Sequence, residues 1–220
     1  MLKQSYFKKI AKFSIYMKGI LLLSGGIDSP VAGKLAIDRG IRLIAVHFSL
    51  EPFTDNTPEK KSIAAAKEIG IKKIYIVKHG DIHAEIVKKI NQRYYYIITR
   101  RLMWRVAEKI AEKENCDFMV TGENLGQVGS QTLDNLTVID KAVEIKILRP
   151  ILCNDKNETI AIAKKIGTYE MSAGPEMCSV LGPKHPATTS NVEMIEKEEE
   201  KIDAEKLLKQ SIERIEVREL

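Results

Sequence analysis

Cysteine is scarce in this 220-residue chain, and the three present, Cys116, Cys153 and Cys178, cannot all pair with one another. None stands in Cys-x-x-Cys spacing, so a disulfide scaffold and a structural zinc site are poor readings, and a reducing cytoplasm is the expected setting. Long apolar runs are also missing. Crossing a bilayer takes roughly 20 apolar residues, and the run Ile20-Leu21-Leu22-Leu23 stops at Ser24-Gly25-Gly26. The first residues, Met1-Leu2-Lys3-Gln4-Ser5-Tyr6, hold no continuous hydrophobic region and no small-residue cleavage site. Neither a membrane protein nor a secreted one is expected.

What remains is 44% hydrophobic and 30% charged, enough to bury one core of ordinary size. The net charge of +5 conceals an asymmetry. Residues 191–220 hold ten acids and six bases, a balance of −4, and the first 190 residues stand at +9. A basic globular part suits a polyanion such as RNA, and it suits equally well a lysine-rich solvated surface.

Apolar runs alternate with helical periodicity in the manner of βαβ units, which predicts an α/β fold with a parallel, doubly wound sheet. Strands are expected at residues 20–23, 43–48, 73–77, 117–121 and 144–148. Helices are expected at 30–40, 58–69 and 82–114, the last broken near Tyr94-Tyr95-Tyr96. Asp155 and Glu158 have capping-box spacing and open a helix that Gly167 ends. Residues 1–17 read as a basic extension, 18–190 as the globular domain, and 191–220 as one charged amphipathic helix carrying Ile195, Ile202, Leu207, Leu208, Ile212 and Ile215.

The chemistry concentrates in Ser24-Gly25-Gly26-Ile27-Asp28-Ser29, which follows a strand and opens a helix. A doubly wound sheet binds ligands there, at the carboxyl ends of its strands. Two glycines admit close approach of an anion, and serine hydroxyls with helix N-terminal N–H groups cradle phosphate oxygens. No lysine follows the glycines, which separates this loop from the G-x-x-x-x-G-K-[ST] pattern, and G-x-G-x-x-G is not met either. Asp28 beside a phosphate is repulsive unless a divalent cation lies between them, which makes it a Mg²⁺ contact. The plain reading is a glycine-rich turn with a Ser/Asp cap.

Ser24-Gly25-Gly26-Ile27-Asp28-Ser29-Pro30-Val31-Ala32 resembles the pyrophosphate-binding loop of the N-type ATP pyrophosphatases, and its Pro-Val-Ala ending resembles the tRNA 4-thiouridine synthetase family in particular. Val46-His47-Phe48, the long segment Thr121 to Thr132, and Met177-Cys178-Ser179-Val180 ahead of Pro183-Lys184-His185-Pro186 agree with it. These matches span residues 18–190.

The resemblance implies a five-stranded N-type sheet and an ATP-dependent tRNA sulfurtransferase that splits ATP between the α- and β-phosphates. Leu22 and Leu23 would then present backbone to adenosine, with His47 and Phe48 at its base. Ser24, Gly25, Gly26, Asp28 and Ser29 would hold the pyrophosphate, Arg100 would lie near phosphate or ribose, and Gly122 and Gln131 would complete the pocket. Cys178 would carry the sulfur, with Lys184 and His185 favouring its thiolate.

Read from the residues alone, His47 is a core histidine at a strand end. Arg100 is then a solvated helix residue among Arg93, Arg101 and Arg105, and the aromatics Tyr94, Tyr95, Tyr96 and Trp104 are core, with stacking on RNA the alternative. Family members carry RNA-binding regions, including a THUMP module, ahead of the ATP domain, and some carry a rhodanese-like domain after it; neither pattern is found in these residues. The implied partners are therefore tRNA, a persulfide donor protein or free sulfide, and a separate THUMP-type protein or a homodimer. An iron–sulfur cluster on the three cysteines is the minority alternative, and thiamine biosynthesis a further association of the family.

Overall fold

In the computed structural model, residues 17–126, 128, 130–173 and 181–220 are described. The sheet runs β5-β4-β1-β2-β3-β6, with β1 Lys18–Leu22, β2 Arg42–Ser49, β3 Lys73–Lys78, β4 Phe118–Val120, β5 Lys146–Leu148 and β6 Ile215–Glu219. The first five are parallel, and β6 joins β3 antiparallel, pairing Tyr75 with Val217.

The strands read as continuous apolar runs because the sheet is covered on both sides. Leu21, Leu43, Ala45, Ile74, Ile76 and Val120 point to one core. Ile20, Ile44, Val46, Tyr75, Val77 and Met119 point to the other. The first core is closed by α1 (Asp28–Ile37), α2 (Thr57–Glu68) and α6 (Lys156–Lys165). The second is closed by α3 (Gly80–Lys89), α4 (Tyr95–Glu114), α5 (Leu133–Asp140), α8 (Val192–Glu199) and α9 (Ala204–Glu213). A short helix α7 (Tyr169–Ser172) follows α6.

The expected break at the tyrosines is present: Ile90 leaves the helix with extended backbone, and a 3-10 turn at Gln92–Tyr94 leads into α4. Tyr95 and Trp104 are buried, so the aromatics of this helix serve the core. The capping box of Asp155 and Glu158 forms in both directions, at 2.9 and 3.0 Å.

Two expectations need correction. Residues 191–220 are not one helix but α8, α9 and β6, and the sheet has six strands where five were expected. Ile212 and Ile215 fit a helical stripe, but Ile215-Glu216-Val217-Arg218-Glu219 also alternates with the period of a strand. The open edge of β3 selects the second pattern, and Lys78 and Glu216 pair across it at 2.6 Å. Helix α5 was not expected; its cap, Thr132 accepting from the Asn135 N–H, and the buried set Asn135, Leu136, Val138 and Ile139 mark it in retrospect.

The C-terminal region belongs to the body of the fold. Ile195, Ile202 and Leu207 are buried in the second core. Arg101, 1% exposed, donates to both carboxylate oxygens of Glu199, at 2.9 and 3.1 Å, and to the Val138 carbonyl at 2.6 Å. Arg105 meets the same carboxylate at 2.9 Å. Removing one member of a buried pair costs more than replacing both. Arg101→Ala is expected to lower stability by about 3 kcal/mol in urea unfolding, and Arg101→Met with Glu199→Leu to restore most of it. A double variant no more stable than the single one would show that the ion pair itself is needed.

Candidate active site

The chain runs β1, β2, β3 to one side of β1 and then crosses back to place β4 and β5 on the other. The connections leaving the carboxyl ends of β1 and β4 thus diverge and open a crevice, the place where such sheets hold ligands. The loop of residues 24–27 fills its floor. Ser29 Oγ accepts from the Ser24 N–H at 2.9 Å and donates to the Ser24 carbonyl at 3.3 Å, and the two hydroxyls lie 3.1 Å apart. Gly26 N–H donates to Ser24 Oγ at 3.3 Å. The residue that caps α1 is Ile27, whose side chain makes no cap hydrogen bond. Such a helix start can receive an anion.

Two close approaches fix the loop. A Cβ on Gly122 would fall 2.6 Å from Ser29 N and 2.7 Å from Ser29 Cα, backbone that cannot step aside. A Cβ on Gly25 would fall 3.1 Å from Pro58 Cα at the start of α2. Glycine at 122 is thus dictated by the contact of the post-β4 segment with the start of α1.

His47 and Phe48 leave β2 on opposite faces. His47 is buried over α2, its Nδ1 2.9 Å from the Leu23 carbonyl and 2.8 Å from Ser62 Oγ, and its Nε2 has no partner. Burial lowers its pKa to about 4, against the opposing hydrogen bond to Leu23, so the ring is neutral. Leu23 N–H donates to Val46 and its carbonyl also receives Ser62 Oγ, so its main chain is engaged within the protein. Phe48 is half-buried on the other face, edge-on to His79 with centroids 5.3 Å apart. His79 meets His83 edge to face, and His83 Nδ1 lies 2.7 Å from the Tyr95 hydroxyl. Burial pushes His83 down to about 4 and His79 well below its ordinary value.

Arg100 reaches the crevice from α4. Its Nη1 faces Glu123 Oε1 at 3.4 Å, and Arg149 Nε donates to Glu123 Oε2 at 2.8 Å. Neither Glu123 nor Arg149 was singled out from the sequence; an acidic residue directly after Gly122 and an arginine ending β5 were the available signals. Gln131 closes the loop it ends: its side-chain oxygen accepts from the Asn124 N–H at 2.7 Å, and its carbonyl from Gly126 N–H at 3.1 Å.

Ser24, Gly25, Gly26, Asp28, Ser29 and Gly122 thus meet at the fork between β1 and β4, and Arg100 reaches the residue that follows Gly122. The other expected residues stand apart from that meeting point: Leu22 packs against the second core, the Leu23 main chain is bonded within the protein, His47 is buried against α2, Phe48 lies on the far face of β2, and Gln131 braces the β4 loop. Cys178 lies outside the described residues. Cys116 precedes β4 at the amino end of the sheet, half-buried, and burial pushes its thiol up to about 11. Cys153 is exposed beyond the carboxyl end of β5. These two cysteines do not meet. Among the described residues no three His, Cys, Asp or Glu side chains form a metal cage. Asp28, the first residue of α1, is the carboxylate at the loop that could hold a divalent cation. Among the described residues no helix is long and apolar enough to cross a membrane.

A parallel-dominated sheet with a lysine-free glycine loop at its switch point defines an α/β fold of the ATP pyrophosphatase kind. The NMN synthetase of Francisella tularensis (TM-score 0.55 over 96% of this chain, 15% identity) and the NAD+ synthetase of Burkholderia pseudomallei (TM-score 0.51, 94%, 15%) share that fold. The family model of the thiamine biosynthesis protein ThiI matches residues 15–204, and the chain belongs to that family. Probable tRNA sulfurtransferases of Finegoldia magna (41% identity over 91% of this chain) and Halothermothrix orenii (42%, 92%) are similar to it. The chain spans about half the length of these relatives, 53% of each. A 4-thiouridine synthetase solved with RNA and bound ATP superposes with TM-score 0.87 at 38% identity, covering 92% of this chain and 55% of that one.

Gly122→Ala must displace the start of α1, and is expected to weaken nucleotide binding at least tenfold by calorimetry while the far-ultraviolet circular dichroism stays unchanged. The three buried histidines also set an acid limit. The unfolded chain binds protons as pH falls through 6.5, the folded chain only near 4 for His47 and His83 and lower still for His79. Stability is thus full above pH 6.5 and is lost between there and about 4, by roughly 1.4 kcal/mol per pH unit for each histidine. Urea midpoints measured between pH 7 and 5 check this, and His83→Phe should make the decline shallower.

Proposed function

We propose that this chain is the ATP-dependent catalytic unit of a tRNA uridine 4-sulfurtransferase. The observation that carries the reading is the fork itself: a glycine loop without lysine pressed against Gly122, an acidic side chain at its helix start, and an arginine held on the residue after Gly122. The 38% likeness to a 4-thiouridine synthetase solved with ATP and RNA supports both substrates. The +9 balance of residues 1–190 suits the RNA.

In this reading the main chain of residues 24–29 and the hydroxyls of Ser24 and Ser29 grip the β- and γ-phosphates. Asp28 would hold a Mg²⁺, whose chemistry there would be to neutralise charge on the departing group. Gly122, with Gln131 bracing the β4 loop, bounds the nucleoside side, while His47 and Phe48, on opposite faces of β2, support it from within the fold. His47, neutral and buried, acts from within through its bonds to Leu23 and Ser62 rather than by a charge. Arg100 meets the phosphates. The uracil 4-oxygen attacks the α-phosphorus, pyrophosphate leaves, and the base is adenylated. Positioning and charge stabilisation account for this step.

Sulfur then displaces AMP at carbon 4. Free sulfide does so without a redox step. A persulfide on Cys178 attacks through its outer sulfur and leaves a mixed disulfide, which a second thiol reduces to release the thiouridine. A persulfide donor protein in a reducing, cytoplasmic setting is the natural source, and a THUMP-type partner or a second copy of the chain would supply further RNA contacts.

Incubation with ATP, Mg²⁺, unmodified tRNA and sulfide or a persulfide donor tests the reading by AMP release and the near-ultraviolet band of thiolated tRNA. Asp28→Ala is expected to abolish AMP formation. Cys178→Ala is expected to keep adenylation and lose persulfide-dependent thiolation, with free sulfide restoring product. AMP without thiolated tRNA would point to another acceptor, neither product to a non-catalytic binding module, and ADP with orthophosphate would sink the reading.

A further inference from the structure

Glu123 forms the middle of a charged chain that the reaction as written leaves without a role. Its side chain is 6% exposed. Oε1 faces Arg100 Nη1 at 3.4 Å, and Oε2 accepts from Arg149 Nε at 2.8 Å and from Thr121 Oγ1 at 3.2 Å. Arg149 forks onward to Asp140, with one contact at 2.9 Å. The two arginine contacts are unequal. Arg149 is short-range and 10% exposed, whereas Arg100 is held loosely and is 21% exposed.

The position matters as much as the charges. Glu123 directly follows Gly122, whose backbone presses on Ser29 at the start of α1. Arg100 therefore waits beside the loop on which the polyphosphate would sit. The geometry points to Glu123 as a positioning residue: it is the resting partner of Arg100, yields that guanidinium to the nucleotide's phosphates, and remains compensated by Arg149 when it does. This rests on the ATP reading given above.

Physical reasons favour such an exchange. A polyphosphate presents several negative charges and bidentate oxygens to a guanidinium that one carboxylate oxygen holds at 3.4 Å. Abandoning a buried carboxylate is ordinarily costly, because it leaves a desolvated charge unpaired. Here the short Arg149 contact and the Thr121 hydroxyl remain, and Asp140 balances the second side of Arg149. Burial works against the Arg149 charge, yet its bonds and attraction to Asp140 and Glu123 outweigh this and raise its pKa. A single arginine on Glu123 would not permit departure at low cost; the second one does.

The test is a cycle of variants titrated with α,β-methylene-ATP and Mg²⁺ by calorimetry. Glu123→Gln keeps the shape and removes the competing charge, so it is expected to tighten binding by about three- to tenfold, the scale of coupling between groups in contact. Arg100→Met is expected to weaken binding, and in that background Glu123→Gln should change nothing. If Arg100→Met weakens binding while Glu123→Gln does not tighten it, the exchange is overturned and the nucleotide reading stands. If Arg100→Met leaves affinity unmoved, Arg100 has no phosphate role and both ideas about it fall. Should Glu123→Gln not fold, a crystal structure of the unaltered chain with the analogue decides. Arg100 more than 4 Å from Glu123 with Arg149 still in contact supports the exchange; a bound analogue with the Arg100 pair still closed overturns it.

Discussion

The whole site depends on one steric constraint, the contact of the Gly122 backbone with the backbone of Ser29 across the fork between β1 and β4. It holds two segments nearly a hundred residues apart at a distance no side chain permits. Because the main chain is fixed there, the first turn of α1 keeps its orientation without a capping side chain of its own. The Ser24–Ser29 bonds brace the loop from below, and Pro58 of α2 bounds it laterally. A site assembled from main chain in this way suits a ligand recognised by charge and shape.

Electrostatics around the crevice follow from burial. His47, His79 and His83 lie on either face of β2 and β3 and are kept neutral by desolvation. Positive charge arrives instead from the guanidinium groups of Arg100 and Arg149. The arrangement leaves the compensation of Glu123 to two guanidinium groups rather than to the buried histidines.

The parallel strands, the glycine loop and the helix that follows it were legible in the sequence because each is a local pattern: a short apolar run, two glycines, a periodic face. The kink before Tyr95 was legible for the same reason. What escaped was decided by partners distant in sequence. Ile215 to Glu219 fits helix and strand alike until the exposed edge of β3 is known. Thr132 and Asn135 mark a helix start only once Asn135 is seen holding the Ser130 and Ala187 carbonyls. The opposed facing of His47 and Phe48 follows from strand alternation and was available in principle. The Arg100–Glu123–Arg149 chain joins residues from α4, the β4 loop and the end of β5, and no spacing rule connects them.

The antiparallel β6 carries a consequence for folding. Its ladder with β3 joins residues about 140 positions apart, from Lys73 against Glu219 to Val77 against Ile215. Such distant pairings form slowly. Until this one closes, Ile74, Tyr75, Ile76 and Val77 stand as a sticky unpaired margin, the kind of template that recruits neighbouring molecules. Lys72, Lys73 and Lys78 bracket that margin with positive charge, acting as gatekeepers while the nascent sheet waits for its last member.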